Sequence, residues 1–182
     1  MDQSTRYADP QAHERYMEFD GREGVVTYLL PVSTDEAFDA WFDIVWKKPM
    51  LQEVRPGQGR GHVGHVRQVQ LGLQEEILSA GLPQPEDKDA VLSVLYKVKE
   101  FGPVPLVNHL GFVSFVPDTS GSTPKTLIIW KVKVVPSTLG FAFFCGGAGI
   151  RLTLCAIFKV FLSDLGKSFQ ERQQVSIKKT TL

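Results

Sequence analysis

The sequence predicts an α+β fold, in which a curved antiparallel sheet of six to seven strands wraps around one long C-terminal helix. Three features of the chain support this prediction. An early amphipathic helix follows the first β-rich segment, several β-rich segments with short connectors come next, and a long apolar helix lies near the end. Strands joined by such short connectors pair antiparallel, because parallel strands need a crossover of a dozen or more residues.

The first strand is predicted over residues 24–31, where β-branched and aromatic side chains precede Pro31. A helix then begins at Ser33, because Glu36 completes the sequence pattern of a capping box. This helix is expected to end at Lys47-Lys48-Pro49. Its apolar face has the spacing of an amphipathic helix and consists of Phe38, Trp41, Phe42 and Val45.

Five further strands follow in close order and complete the sheet. Turn-forming residues separate them, as in Phe101-Gly102-Pro103 and Asp118-Thr119-Ser120-Gly121. The five segments are 63–71, 74–80, 90–99, 106–116 and 126–135.

The last predicted element is a helix over residues 148–170. One face of it is apolar at helical spacing, with Ile150, Leu154, Ile157, Phe158, Phe161, Leu165 and Phe169. The expected organisation is therefore a polar N-terminal extension over 1–21, one domain over 22–174 and a tail over 175–182. The extension contains a candidate short helix around residues 12–19, which either lies on the domain or is partly disordered.

Composition narrows the possible partners. The chain has 182 residues, 43% of them apolar, and its 20 basic residues balance 20 acidic ones. A neutral chain without a basic cluster lacks the electrostatic footprint of a nucleic-acid-binding protein. Cys145 and Cys155 are the two cysteines, and no zinc site is expected, because neither has a neighbouring histidine. The polar N-terminus has no signal-peptide core, so a reducing, cytoplasmic setting is expected.

One apolar segment raises the question of a membrane span. Residues 139–150 are continuously apolar, but twelve residues fall short of the roughly 20 that a span needs. Extending the segment brings in Arg151 and Lys159, each of which costs about 2.5–3.5 kcal/mol near a bilayer centre. A buried helix is the expected outcome, and no stable membrane span is predicted.

The order of these elements, with a few local motifs, resembles the START-like superfamily, also called SRPBCC proteins. This superfamily includes polyketide cyclases, plant hormone receptors and the birch-pollen allergen class, and its fold is the helix-grip fold. The resemblance covers roughly residues 24–172. The matching motifs are Ala37-Phe38-Asp39-Ala40-Trp41, Gly64-His65-Val66-Arg67, Glu75-Glu76-Ile77-Leu78 and Thr126-Leu127-Ile128-Ile129-Trp130. It implies two short helices after the first strand, and a cavity for a hydrophobic ligand between the concave sheet face and the terminal helix.

Side chains alternate along strands, so the predicted segments indicate which residues face this cavity. In segment 63–71, His65, Arg67 and Val69 share one face. A lone inward charge is costly without a partner, and Glu76 on the next strand is the expected partner of Arg67, as the family pattern also implies. A purely structural ion pair remains an equally good interpretation.

Three more inward positions come from the later strands. Tyr96 and Trp130 each lie on a face opposite lysines. Both faces of segment 106–116 are apolar, so alternation does not decide between Asn108 and His109, whereas the resemblance implies that His109 lines the cavity. A water, a backbone carbonyl or a ligand oxygen would satisfy the Tyr96 hydroxyl equally well.

The terminal helix and two turns complete the expected site. The helix contributes Leu154, Phe158 and Phe161. The resemblance places a ligand gate at Leu71, Leu73 and Phe101, although two ordinary turns would look the same in the sequence.

The sequence leaves three functions open. A carrier, sensor or storage protein for a lipid, polyketide, isoprenoid or pigment is favoured, with a small hydrophobic molecule as partner and no cofactor. A cyclase, isomerase or dehydratase would use Arg67, Glu76, Tyr96 or His109 as acid or base, but no catalytic residue is assigned. Lipid transfer at membranes rests on residues 139–162 alone. No metal site is predicted, and the oligomeric state is left open.

Overall fold

The protein is described by a computed structural model covering residues 8–47, 51–82 and 91–180; for Gln70 and residues 172–180 the description is of the backbone. The strands in these ranges are β1 (Arg22–Leu30), β2 (Gln52–Arg55), β3 (Val66–Gln68), β4 (Gln74–Gly81), β5 (Leu92–Glu100), β6 (Leu106–Asp118) and β7 (Lys125–Pro136). The helices are α1 (Ala12–Glu18), α2 (Thr34–Ala40), a π-helix (Trp41–Trp46), a 3₁₀ turn (Gln70–Gly72), α3 (Thr138–Phe143) and α4 (Ala148–Thr180).

All seven strands form one antiparallel sheet in the order β1-β7-β6-β5-β4-β3-β2. The first strand therefore pairs with the last, and the strands between them form a meander. The sheet grips α4, and α2 and the π-helix follow β1. The predicted helix-grip fold is confirmed.

The early helix begins as predicted. The Ser33 side chain accepts a hydrogen bond from the Glu36 backbone, and the Glu36 carboxylate accepts one from the Ser33 backbone. After Ala40 the chain widens into the π-helix, which buries Trp41, Phe42, Val45 and Trp46. The predicted end of this helix lies partly outside the described residues, since Lys47 is described and Lys48 and Pro49 are not.

The sheet has an apolar layer on each face. The inner layer joins the sheet to α2, the π-helix and α4. The outer layer is formed by Ala12 and Tyr16 of α1 against Leu95, Leu110 and Phe112. This second layer explains why both faces of β6 are apolar in the sequence. The N-terminal extension lies on the domain from Ala8 onward, while its residues 1–7 are outside the described ranges.

The long strand predicted over 63–71 is wrong, because only β3 forms a ladder there. His62 and Gly64 have positive φ values of 49° and 81°, and Leu71 and Gly72 have values of 63° and 73°. Left-handed residues cannot continue a pleated strand, so both ends of the segment turn away. Strand β2 was not predicted, and strand β5 begins at Leu92; Ala90, where it was predicted to start, is outside the described residues.

The C-terminal region differs from the prediction in two ways. Residues 138–143 form a separate helix, α3, whose N-terminus is capped by the Ser137 side chain, and α4 continues to Thr180 through most of the predicted tail. Ile157 was predicted on the inner face but is 41% exposed, because it lies about 100° around the helix axis from buried Phe158. Cys145 and Cys155 are both free. Among the described residues, none of the helices has the length and apolarity that a membrane crossing requires.

Candidate functional site

The inner face of the sheet is covered by a layer of aromatic rings. Trp130 of β7 stacks on Phe158 of α4, with ring centroids 4.0 Å apart and an interplanar angle of 5°. Trp41 packs edge-on against Trp130 at 5.5 Å. Trp46 does the same against Tyr96 at 5.4 Å. Four of these five side chains are fully buried, so packed rings fill the space that was predicted to hold a ligand.

Strand register brings Tyr96 and Trp130 together. Tyr96 lies opposite Gly111, where a Cβ atom would overlap the tyrosine ring, so glycine leaves the space that the ring occupies. Trp130 lies opposite Val113 on the neighbouring pair of strands. The Trp130 indole donates a hydrogen bond of 2.9 Å to the Tyr96 hydroxyl. The sequence left a water, a backbone carbonyl or a ligand oxygen as partners of this hydroxyl, and the structure instead provides the Trp130 indole as a donor.

Arg67 is buried at the end of the π-helix. Its Nε donates to Glu75 Oε2 at 2.6 Å, and its Nη1 donates to the carbonyls of Val45 and Trp46 at 2.9 and 2.8 Å. Its guanidinium lies 3.8 Å from the centroid of the Trp46 ring. A cation that satisfies the final carbonyls of a helix stabilises that end. Arg67 therefore holds the π-helix against the sheet.

The predicted pairing of Arg67 with Glu76 is wrong. Arg67 is the direct cross-strand neighbour of Glu75, so these two side chains share a face. Glu76 points to the other side, where its carboxylate meets Arg55 at 2.5 Å and Lys97 and Lys99 at 3.8 and 3.9 Å. Glu76 therefore does not belong to the inner aromatic layer.

His65 is buried but already has two partners. The Trp46 indole donates to His65 Nδ1 at 2.8 Å, and His65 Nε2 lies 2.9 Å from a Glu53 carboxylate oxygen. An indole N–H can only donate, so Nδ1 accepts, and Nε2 carries the proton that it donates to Glu53. Val69 is half-buried in the turn that follows β3. Within the described ranges, no group of three or more metal-binding side chains is found.

Within the described residues, His109 is one of two polar side chains that the inner layer leaves unsatisfied. It is 2% exposed, its ring centroid lies 5.5 Å from that of Tyr96, and its Nδ1 has no hydrogen-bond partner among the described residues. Burial lowers the pKa of His109 to about 4, although the Glu75 charge opposes this shift, so the ring is neutral at pH 7. Trp41 Nε1 is the second buried polar atom without a partner in the described part of the chain. Burial also raises the pKa of Tyr96, which stays protonated.

The predicted helix residues contact the same layer, and the predicted gate lies beside it. Leu154 and Phe161 are half-buried against the inner core. Leu71 is 70% exposed, whereas Phe101 packs partly into that core and Leu73 is half-buried. A Cβ on Gly102 would overlap the Leu71 carbonyl, so the two turns that carry the gate residues lie against each other.

Sequence reasoning missed four contributors to this region. Trp41 was assigned to the apolar face of the early helix and Trp46 only to the helix itself, neither with a role in the site, and Glu53 lies on an unpredicted strand. Glu75 was missed because the register between β3 and β4 is set by the turn geometry rather than by alternation alone. The sequence of either strand alone carries no signal that distinguishes Glu75 from Glu76 as the partner of Arg67.

An open depression of about 210 Å³ lies beside this layer, since Phe115 lines it and packs edge-on against Trp41 at 6.5 Å. It is lined by Thr34, Asp35, Arg60, Leu82, Leu92, Phe115 and Pro117. Arg60 donates to Asp39 at 2.6 Å and to Asp35 at 2.8 Å. Its charge is therefore already paired, and the inner aromatic layer remains the candidate site.

Comparison with solved structures gives relatives in fold. A protein from Nitrosospira multiformis is similar over 84% of this chain and 99% of its own, with 16% identity and a TM-score of 0.56. Norcoclaurine synthase from Thalictrum flavum, solved with a transition-state analogue, matches over 86% and 99% with 12% identity and a TM-score of 0.53. CalU16 from Micromonospora echinospora matches over 82% and 74% with 12% identity and a TM-score of 0.52. No protein-family model and no curated protein matches the sequence. At identities this low, the structural similarity shows a shared fold alone.

Proposed function

We propose that this protein binds a small hydrophobic molecule, such as a lipid, polyketide, isoprenoid or pigment, between the inner face of its sheet and α4. The observation that carries the proposal is His109 Nδ1, a buried polar atom without a partner in an aromatic surrounding. Ligand sites are mostly apolar, with few polar groups that set orientation. A hydrogen bond from a ligand to this atom would supply the partner that the described residues lack.

In this proposal, the apolar body of the ligand contacts Trp130 and Phe158. These rings are parallel and 4.0 Å apart, and a flat ligand would separate them and stack on one or both. Offset stacking of aromatic groups contributes about 0.5–1.5 kcal/mol beyond area burial. Because Trp130 belongs to the sheet and Phe158 to α4, ligand entry requires a small displacement of α4 from β7.

The alternative of a cyclase, isomerase or dehydratase has less support. Arg67 and Glu75 neutralise each other, and Glu76 lies on the outer face. Tyr96 and His109 remain as a possible acid and base. Burial raises the pKa of Tyr96 and lowers that of His109, so both are poorly matched to proton transfer near pH 7. Binding is therefore proposed in preference to catalysis.

Native mass spectrometry of the purified protein tests the proposal by revealing a co-purified ligand. Independently, we expect 1-anilinonaphthalene-8-sulfonate to bind saturably and to quench tryptophan fluorescence. Trp130→Leu should weaken this binding about tenfold, since it removes the stacking surface. Lys97→Met is the matched control, because Lys97 lies on the outer face beside Glu76. The absence of both a ligand and saturable binding, or an equal loss in Lys97→Met, would contradict the proposal.

A further inference from the structure

The region around α3 exposes an unusual amount of apolar surface. Of the fourteen large hydrophobic side chains that are exposed in the described part of the chain, seven lie between residues 139 and 160. Together they are termed the α3–α4 patch, and they are Leu139, Phe141, Phe143, Phe144, Leu152, Ile157 and Val160. The most exposed are Phe143 at 77% and Leu139 at 66%. Large exposed apolar surfaces mark sites of interaction with proteins or membranes.

The two helices that carry the patch are packed together. A Cβ on Gly149 of α4 would lie 3.5 Å from Phe144 Cβ, and one on Gly140 of α3 would lie 3.2 Å from Ile150 Cδ1. Helix α3 therefore folds against the first turn of α4. In its first half, α4 is apolar on both sides. Phe158 and Leu162 face the inner core, whereas Leu152 and Val160 face outward.

The charges around the patch indicate what it contacts. From Leu139 to Val160, the span that carries the patch, the chain has no aspartate or glutamate, and its charged residues are Arg151 and Lys159. The Arg22 guanidinium also lies 6.0 Å from the Phe141 ring centroid. An apolar helical face with basic residues at its border is the pattern of a helix that lies in an anionic lipid interface. A second copy of the chain would instead bring like charges together.

We propose that the α3–α4 patch docks this protein onto the surface of an anionic lipid bilayer. The phenylalanines of α3 and the outward side chains of α4 enter the boundary between headgroups and acyl chains. Arg22, Arg151 and Lys159 face the negative surface, where each cation near the membrane contributes to attraction. This inference is independent of the proposed ligand site, because it uses the outer side of α4 rather than the side that carries Phe158.

Vesicle flotation with the full-length protein tests this proposal. We expect wild-type protein to float with vesicles of phosphatidylcholine containing roughly 30 mol% phosphatidylserine, and about tenfold less with pure phosphatidylcholine. Raising sodium chloride from about 0.1 to about 0.5 M should weaken the binding, because salt screens exposed charges. The double variant Phe143→Gln/Leu152→Gln should lose at least about tenfold in partitioning, since it removes one apolar contact from each helix.

Two controls separate docking from other effects. Met17→Gln removes an apolar side chain that is 56% exposed on α1 and should leave vesicle binding unchanged. Because Phe143 and Leu152 are exposed, the unfolding midpoint of the double variant should match that of wild type.

The proposal is overturned if wild-type protein fails to float, or if the double variant floats as well as wild type. It is also overturned if sedimentation shows that the double variant converts a dimer to a monomer while wild type ignores vesicles. Trp130→Leu, which should weaken binding at the proposed ligand site, should not affect flotation.

Discussion

At the scale of single residues, Gly111 controls the inner aromatic layer most directly, because a Cβ there would overlap the Tyr96 ring. We expect Gly111→Ala to push this ring away from Trp130 and to lower the free energy of unfolding by about 1–3 kcal/mol, the usual cost of overpacking. Urea unfolding measures the effect. Gly121→Ala is the matched control, because a Cβ there meets no atom within 4 Å. Equal stability of the two variants would show that the layer tolerates the added methyl group.

The replacement of Arg67 is expected to have a large effect on stability. Arg67→Met leaves Glu75 as a buried carboxylate without its cation, which costs about 3–5 kcal/mol. The double variant Arg67→Met/Glu75→Leu should recover part of this loss, since no buried charge then remains. Thermal unfolding of both variants, together with binding of the anilinonaphthalene probe, separates stability from ligand affinity. If the double variant is no more stable than Arg67→Met, the pair is not the source of the loss.

The burial of His109 makes the stability of the folded protein depend on pH. Its pKa in the folded protein is about 4, below the usual value of 6.5, so the unfolded chain binds a proton that the folded protein excludes. The stability associated with neutral His109 is therefore present above pH 6.5 and is lost as the pH falls toward 4. Between pH 7 and 5, we expect wild type to lose about 2 kcal/mol more than His109→Gln. His13→Gln, on the exposed side of α1, should show the wild-type pH profile; a wild-type profile in His109→Gln would refute the assignment.

Alternation along the strands predicted which face of the sheet some side chains point to, but it predicted few of their interaction partners. Alternation placed Tyr96 and Trp130 on the inner face because the opposite faces of their strands carry lysines. It misassigned the partner of Arg67, because the choice between Glu75 and Glu76 depends on strand register rather than on either strand alone. The direction of His109 became clear only through α1, which covers Leu110 and Phe112 on the other face.

At the scale of elements, two turns lie where a ligand gate is expected. One joins β3 to β4, and the other joins β5 to β6. They lie against each other through Leu71 and Gly102, and Leu71 has a φ of 63°, which is costly for a branched side chain. We expect amide exchange over 71–73 and 101–103 to slow when the anilinonaphthalene probe saturates the protein. The turn over 119–123 should hardly change. Identical exchange in both states would leave two static turns, as the sequence also allowed.

Element boundaries show which parts of the fold depend on more than local pattern. The long strands β6 and β7 were predicted within a few residues because β-branched side chains recur throughout them. The segment around β3 was not, because left-handed residues such as His62 and Leu71 interrupt a sequence that alternates smoothly. The apolar segment 139–150 was expected to form a buried helix, and this was wrong. The Ser137 cap starts a separate short helix there, on which Leu139 and Phe143 are exposed.

At the scale of the whole molecule, α1 makes the sheet a layer between two apolar regions. Removing residues 1–19 would expose Leu95, Leu110 and Phe112, all of which are at most 8% exposed. We expect this truncation to lower the unfolding midpoint and to promote aggregation, because an uncovered apolar sheet face is an association surface. Light scattering and thermal unfolding measure both effects. Removing residues 1–7 alone should be far milder, since Ala12 and Tyr16 remain; a neutral effect of the longer truncation would show that α1 contributes little.

The pairing of β1 with β7 has a consequence for biosynthesis. The ribosome releases β1 early, yet its partner strand emerges roughly a hundred residues later, a delay of about 5–20 s at ordinary elongation rates. During this interval Val26 and Leu30, which are buried in the finished protein, lack both their partner strand β7 and helix α4, which packs against β1. In the nascent chain, β1 therefore stays unpaired until β7 emerges. Stalling of translation before Lys125 should leave the chain sensitive to proteases and dependent on chaperones.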